Sequence, residues 1–144
     1  MSGTGPTLFH DLDELLKAPP LELGSTGWVD VDSAAVRRFR EATGAPAGAG
    51  DPVDVPPLML LSLTNRFLPD LMQVPAASSG VNYGADSVRF GAPAGAGDRV
   101  RAGATLVSAS PVAAGVQTTV EIRIEGERAG EPLCVVHSLS RWMR

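Results

Sequence analysis

Residues 56–69, Pro-Pro-Leu-Met-Leu-Leu-Ser-Leu-Thr-Asn-Arg-Phe-Leu-Pro, constrain the fold of this chain more than any other stretch. At helical spacing Leu58, Met59, Leu60, Leu61, Leu63, Phe67 and Leu68 leave almost no polar face. A helix that is apolar nearly all round has to be wrapped by other structure. Pro56 and Pro57 suit a first helical turn, where the missing N–H costs nothing, and the pattern predicts a helix running to about residue 72. Pro69 either ends that helix or kinks its last turn. Everything after residue 80 reads as strand, so the expected arrangement is a sheet curled around one buried helix.

The segments on either side support that arrangement. Residues 7–17 place Leu8, Leu12, Leu15 and Leu16 on one helical face, with Asp11, Asp13 and Glu14 near its start, where the helix dipole favours negative charge. Residues 21–31 read as one strand, with Trp28 and alternating Val29 and Val31. A helix capped by Asp32 or Ser33 follows, and Gly44 stops it. Residues 44–57 form a Gly- and Pro-punctuated loop around Asp51 and Asp54. Late strands are expected at 80–90, 99–108, 116–125 and 132–143. In the third of these Val116, Thr118, Val120, Ile122 and Ile124 alternate cleanly with polar residues, the mark of an antiparallel strand with one wet face. The octapeptide Gly-Ala-Pro-Ala-Gly-Ala-Gly-Asp occurs at 44–51 and again at 91–98, but the flanks differ, which reads as loop composition rather than a repeat. The expected class is α+β, in a single domain spanning 1–144.

Composition excludes several functions. A length of 144 residues with 44% hydrophobic content supports one domain with a real core. A net charge of −4 argues against a nucleic-acid partner, which needs clustered cations. Cys134, the single cysteine, excludes an intrachain disulfide and a multi-cysteine metal site, and it reads as a small buried hydrophobe. No metal or cofactor is expected. Without an apolar run of about 18 residues or a signal-like N-terminus, no membrane association and a cytoplasmic location are expected.

Several strings in order resemble the MaoC-like dehydratases, which include the (R)-specific enoyl-CoA hydratases and NodN-type proteins and share the hot-dog fold, an antiparallel sheet wrapped around a central helix. The carriers are Leu23-Gly-Ser-Thr-Gly-Trp-Val-Asp-Val-Asp32 leading into Val36-Arg-Arg-Phe-Arg-Glu-Ala-Thr-Gly44, then Leu58-Met-Leu-Leu-Ser-Leu63 with Phe67-Leu-Pro69, then Gly80-Val-Asn-Tyr-Gly84 with Val88-Arg-Phe90, and Arg99-Val-Arg101. The resemblance covers nearly the whole chain. It implies lyase-type hydration or dehydration of an acyl thioester on CoA or an acyl-carrier protein, in a tunnel beside the central helix of a dimer. That dimer is a homodimer or a heterodimer with another hot-dog subunit.

Family members carry an Asp and, a few residues later, a His between the Ala-Thr-Gly string and the central helix. Here Ala45-Pro46 follows Ala42-Thr43-Gly44, and no histidine occurs between residues 11 and 136. The dyad does not carry over. Asp51 and Asp54 are candidate catalytic replacements, relics of acidic positions, or simple turn residues. Tyr83 is a third catalytic candidate, with packing as its plainer role. Ser62, Asn65, Arg66 and Asn82 are candidate substrate-binding residues. Arg66 would bind a carrier phosphate or pair with Asp70. His10 is expected at the surface. His137 is expected to be structural, because adjacent Ser138 points to the opposite strand face and cannot serve it as a nucleophile. Two functions follow: a non-standard dehydratase, isomerase or cyclase on a polyketide-type intermediate of specialised metabolism, or an inactive acyl-binding subunit of an active partner.

Overall fold

The computed structural model describes residues 5–45 and 54–144. Four long or paired late strands dominate: β5 (Ser79–Phe90), β6 (Arg99–Val112), β7 (Gly115–Gly126) and β8 (Cys134–Met143). With β2 (Leu21–Ser25) they form an antiparallel sheet in the order β2-β6-β7-β8-β5, and β3 (Val29–Asp30) pairs beside β2 on the same strand, β6. The alternation along β7 places Val116, Thr118, Val120, Ile122 and Ile124 on the buried face, as its sequence requires. Hot-dog architecture in the α+β class is what the sequence anticipates, and it is the fold observed.

The central segment is two consecutive helices, α3 (Pro57–Ser62) and α4 (Thr64–Leu71), with Leu63 between them in helical conformation. Pro69 lies inside α4, which continues two residues beyond it. Met59, Leu60, Phe67 and Leu71 are buried in the core with Leu106, Ile122, Ile124 and Val136. The expectation of an all-round wrap is corrected here. Leu58 is 61% exposed, because the sheet covers only one side of the helical segment.

Two further expectations change for local reasons. The helix expected over 7–17 is confined to α1 (Leu12–Lys17), because Asp11 accepts the amide of Glu14 and so fixes the start. Thr7–Leu8 instead form a short strand, β1, parallel to β4 (Met72–Gln73), and leave Leu8 outside the core. The single strand expected over 21–31 is divided into β2 and β3. At the break, buried Thr26 accepts the amide of Ala102 through its hydroxyl, so a side chain replaces a ladder bond. Helix α2 (Ser33–Thr43) follows expectation closely, with Asp32 accepting from the Ala35 amide and Gly44 at φ 70° closing it. Asp51 lies outside the described residues.

A slot between the central helix and the edge of the sheet

A cavity of about 290 Å³ separates the C-terminal half of the central segment from the β5–β8 edge. Asn65, Leu68, Pro69, Met72, Gln73 and Val74 form one wall, and Gly80, Val81, Asn82, Ser140 and Trp142 the other. Strand register gives this slot polarity. Asn82 stands opposite Ser140, and two residues away Gly80 stands opposite Trp142. One end is therefore polar and the other is apolar. A mostly apolar pocket with a few convergent polar groups is the usual form of a small-molecule site.

Each end is held by specific contacts. Asn82 Nδ2 donates to Asn65 Oδ1 at 2.7 Å, which ties β5 to α4 across the slot mouth. Trp142 Nε1 donates to Thr118 Oγ1 at 3.0 Å, and Thr118 is fully buried. The indole also lies where a side chain at position 80 would be, so only glycine fits there without displacing it. Ser140 is 3% exposed. Among the described residues its hydroxyl has no hydrogen-bond partner.

The residues expected from sequence divide around this slot. Asn65 and Asn82 line it and bond to each other. Ser62 does not line it; its hydroxyl donates to the Leu58 carbonyl one turn back. Arg66 is exposed next to Asn65 and, among the described residues, forms no ion pair with Asp70. Tyr83 is not in the slot. Strand alternation turns it to the opposite face, where Arg141 stacks over its ring at 3.6 Å. Asp54 is exposed and bridges to Gly95 on the rim of a separate surface hollow, with residues 93–98 and Arg128. Among the described residues no side chain lining the slot is titratable. Sequence reasoning missed Ser140 and Trp142. The available signal was the alternation of β8, which puts both on the same face as buried Cys134 and Val136.

His137 lies on the outer face of the sheet, as expected of a structural histidine. Its Nδ1 is 2.9 Å from Ser87 Oγ, and its Nε2 is 3.3 Å from a Glu121 carboxylate oxygen, whose partner oxygen accepts from Arg123. These groups come from β5, β8 and β7 in direct register and form a cross-strand ladder on an open surface. Burial in the core pushes the Cys134 thiol above its ordinary range, in line with a packing role. Among the described residues no cluster of side chains could hold a metal ion, and no helix is long and apolar enough to cross a membrane.

Together these features define a hot-dog domain with a slot beside its central helix. No family model matches the chain. It is 31% identical over 147 aligned positions to the 3-hydroxyacyl-thioester dehydratase Z of Mycobacterium tuberculosis strain H37Rv, covering 94% of this chain and 97% of that protein. Two solved structures share the fold at lower identity. The (R)-hydratase from A. caviae involved in PHA biosynthesis superposes with a TM-score of 0.66 at 19% identity, over 87% of this chain and 99% of that one. The MaoC-like dehydratase from Rhodospirillum rubrum gives 0.63 at 17%, over 84% and 90%. The chain belongs to the MaoC-like dehydratase and (R)-hydratase family.

Proposed function

We propose that the protein takes an acyl thioester with its acyl chain in the slot, and acts on it as a dehydratase- or hydratase-type protein of specialised metabolism on a polyketide-type intermediate. The observation that carries this reading is the slot itself, polar at the Asn65–Asn82 end and apolar at the Trp142 end, in a chain related along its length to a 3-hydroxyacyl-thioester dehydratase. The described lining of the slot would act by holding the chain in one reactive conformation for a dehydration, isomerisation or cyclisation. Orientation of this kind supplies several kcal/mol. Exposed Arg66, adjacent to Asn65, is the candidate contact for a CoA or carrier-protein phosphate.

The absence of a titratable side chain among the described lining residues favours a second reading, an acyl-binding subunit that completes an active partner. The sheet edge supports pairing in either case. β5 is exposed along nearly its whole length, including Val81, Tyr83 and Phe90. An uncovered apolar edge strand is a ready pairing surface.

The test is turnover of crotonyl-CoA and 3-hydroxybutanoyl-CoA, followed by absorbance of the enoyl thioester, with solution mass measured alongside. Turnover by a homodimer that falls at least tenfold in Asn82→Ala supports the first reading. Binding without turnover, and gain of activity only on mixing with a second hot-dog subunit, supports the subunit reading. Failure to bind any acyl thioester refutes both.

A further inference from the structure

The face of the sheet turned away from the slot carries its own group of reactive side chains. Strand alternation points Ser138 away from His137, but strand pairing supplies another serine. Ser87 of β5 stands opposite His137 of β8, and His137 stands opposite Glu121 of β7. Ser87 Oγ is 2.9 Å from His137 Nδ1, and His137 Nε2 is 3.3 Å from Glu121 Oε2. The other Glu121 oxygen accepts from Arg123 Nη1 at 2.7 Å, which holds the carboxylate in place. A carboxylate beside Nε2 favours the tautomer with its proton there, so the Nδ1 lone pair faces the serine hydroxyl. A hydroxyl against a basic nitrogen, on a ring oriented by a carboxylate, is the arrangement that activates a serine nucleophile. The ring nitrogens serve in reverse of the usual order, with Nδ1 rather than Nε2 on the hydroxyl.

The surroundings of Ser87 suit acyl chemistry. β5 is the edge of the sheet, and an edge strand offers unpaired backbone N–H groups as hydrogen-bond donors. A bulge between Ala85 and Ser87 immediately precedes the serine, and bulges re-aim side chains. On the same face half-buried Leu139 stands opposite Gly84, which has no side chain to cover it, and Tyr83 beside Gly84 is 54% exposed. Arg89, two residues on from Ser87 on that face, sets a cation about 7 Å along the strand.

We propose that these residues form a second site, in which Ser87 is a nucleophile towards small activated esters with an apolar body, His137 is its general base and Glu121 positions the imidazole. Ser87 Oγ bonds to the ester carbonyl carbon and its proton passes to Nδ1. The bond to the leaving oxygen then breaks, and that oxygen takes the proton from Nδ1. Water repeats the sequence on the acyl-serine: its oxygen bonds to the carbonyl carbon, one proton moves to Nδ1 and then to the departing Oγ, and a carboxylic acid is released. The site is open to solvent, so its power is that of the base and nucleophile alone, about 10²–10⁴-fold. It uses no residue of the slot and stands independently of the acyl-thioester reading.

Treating the full chain with a fluorophosphonate probe tests this. Ser87 Oγ bonds to phosphorus, fluoride leaves, and intact mass with peptide mapping locates the adduct. Labelling should fall on Ser87 and slow by about tenfold or more in His137→Gln. Hydrolysis of 4-nitrophenyl acetate should drop by a similar factor in Ser87→Ala and stay unchanged in His10→Gln, which removes an exposed imidazole elsewhere. Glu121→Gln should lower kcat for that ester by about tenfold or more and leave KM within about twofold, a split that loss of a merely structural contact does not produce. A wild-type protein that the probe leaves unlabelled, or labels only elsewhere, overturns the proposal without any variant having to fold. Ester hydrolysis that persists in Ser87→Ala, labelling indifferent to His137→Gln, or a kcat unchanged in Glu121→Gln overturns it equally.

Discussion

Gly80→Ala probes the apolar end of the slot. A Cβ at position 80 would stand 2.7 Å from Cζ3 and 3.0 Å from Cε3 of Trp142. Carbon atoms pack at about 3.5–4.0 Å, so the ring has to retreat by roughly 1 Å. An unrestrained side-chain tip would do so at little cost, but this indole is held by a 3.0 Å bond to Thr118 on the neighbouring strand. Overpacking of this kind costs about 1–3 kcal/mol. Losing the hydrogen bond adds about 1 kcal/mol. Reduced freedom of the unfolded chain returns about 0.4–1 kcal/mol, because Gly80 does not need a positive φ. The net expectation is a loss of about 1–3.5 kcal/mol. With m near 2 kcal/mol/M, the urea midpoint falls by roughly 1 M. Adding Trp142→Leu should remove most of the penalty of Gly80→Ala, a coupling of about 0.5–3 kcal/mol. The reasoning is refuted if Gly80→Ala unfolds within about 0.5 kcal/mol of wild type, the ordinary range for an uneventful surface change. A penalty that persists unchanged beside Trp142→Leu refutes it equally.

Thr118→Val keeps the shape of the side chain but leaves the indole N–H unpaired, and should cost about 1–2 kcal/mol in the same denaturation assay. Asp54→Asn should change neither acyl-thioester binding nor any turnover by more than about twofold, roughly 0.4 kcal/mol, because Asp54 lies on a different hollow. The buried Cys134 thiol, held above its ordinary value by desolvation, should resist a thiol-specific chromogenic reagent until the protein unfolds. The sign of its pH dependence follows from the same shift. An unfolded thiol releases its proton near pH 8.5 and the folded one does so later, so this group's contribution to stability falls as pH rises above about 8.5. Cys134→Ala should flatten that part of the stability profile.

Sequence periodicity determined much of the fold. The alternation of 116–124 fixed which face of β7 is buried, and Asp32 with Gly44 set the ends of α2. These signals are local: a side chain on a strand or at a helix cap meets its decisive partner within a few residues or by a period of two. Asn65 and Asn82 were singled out by the strings that contain them, and both line the slot. What only the tertiary structure decided is which distant groups meet. The break of the early strand at Thr26 depends on the amide of Ala102, the short pairing of Thr7–Leu8 depends on Met72–Gln73, and the placement of Tyr83 away from the slot depends on how β5 pairs with β8. The same holds for the slot. The serine at position 140 and the tryptophan at 142 are ordinary strand residues until the tertiary fold sets both on the wall of one slot and Thr118 holds the indole across Gly80. Hydrogen-bond satisfaction and steric fit are properties of groups far apart in the chain, so no local pattern encodes them.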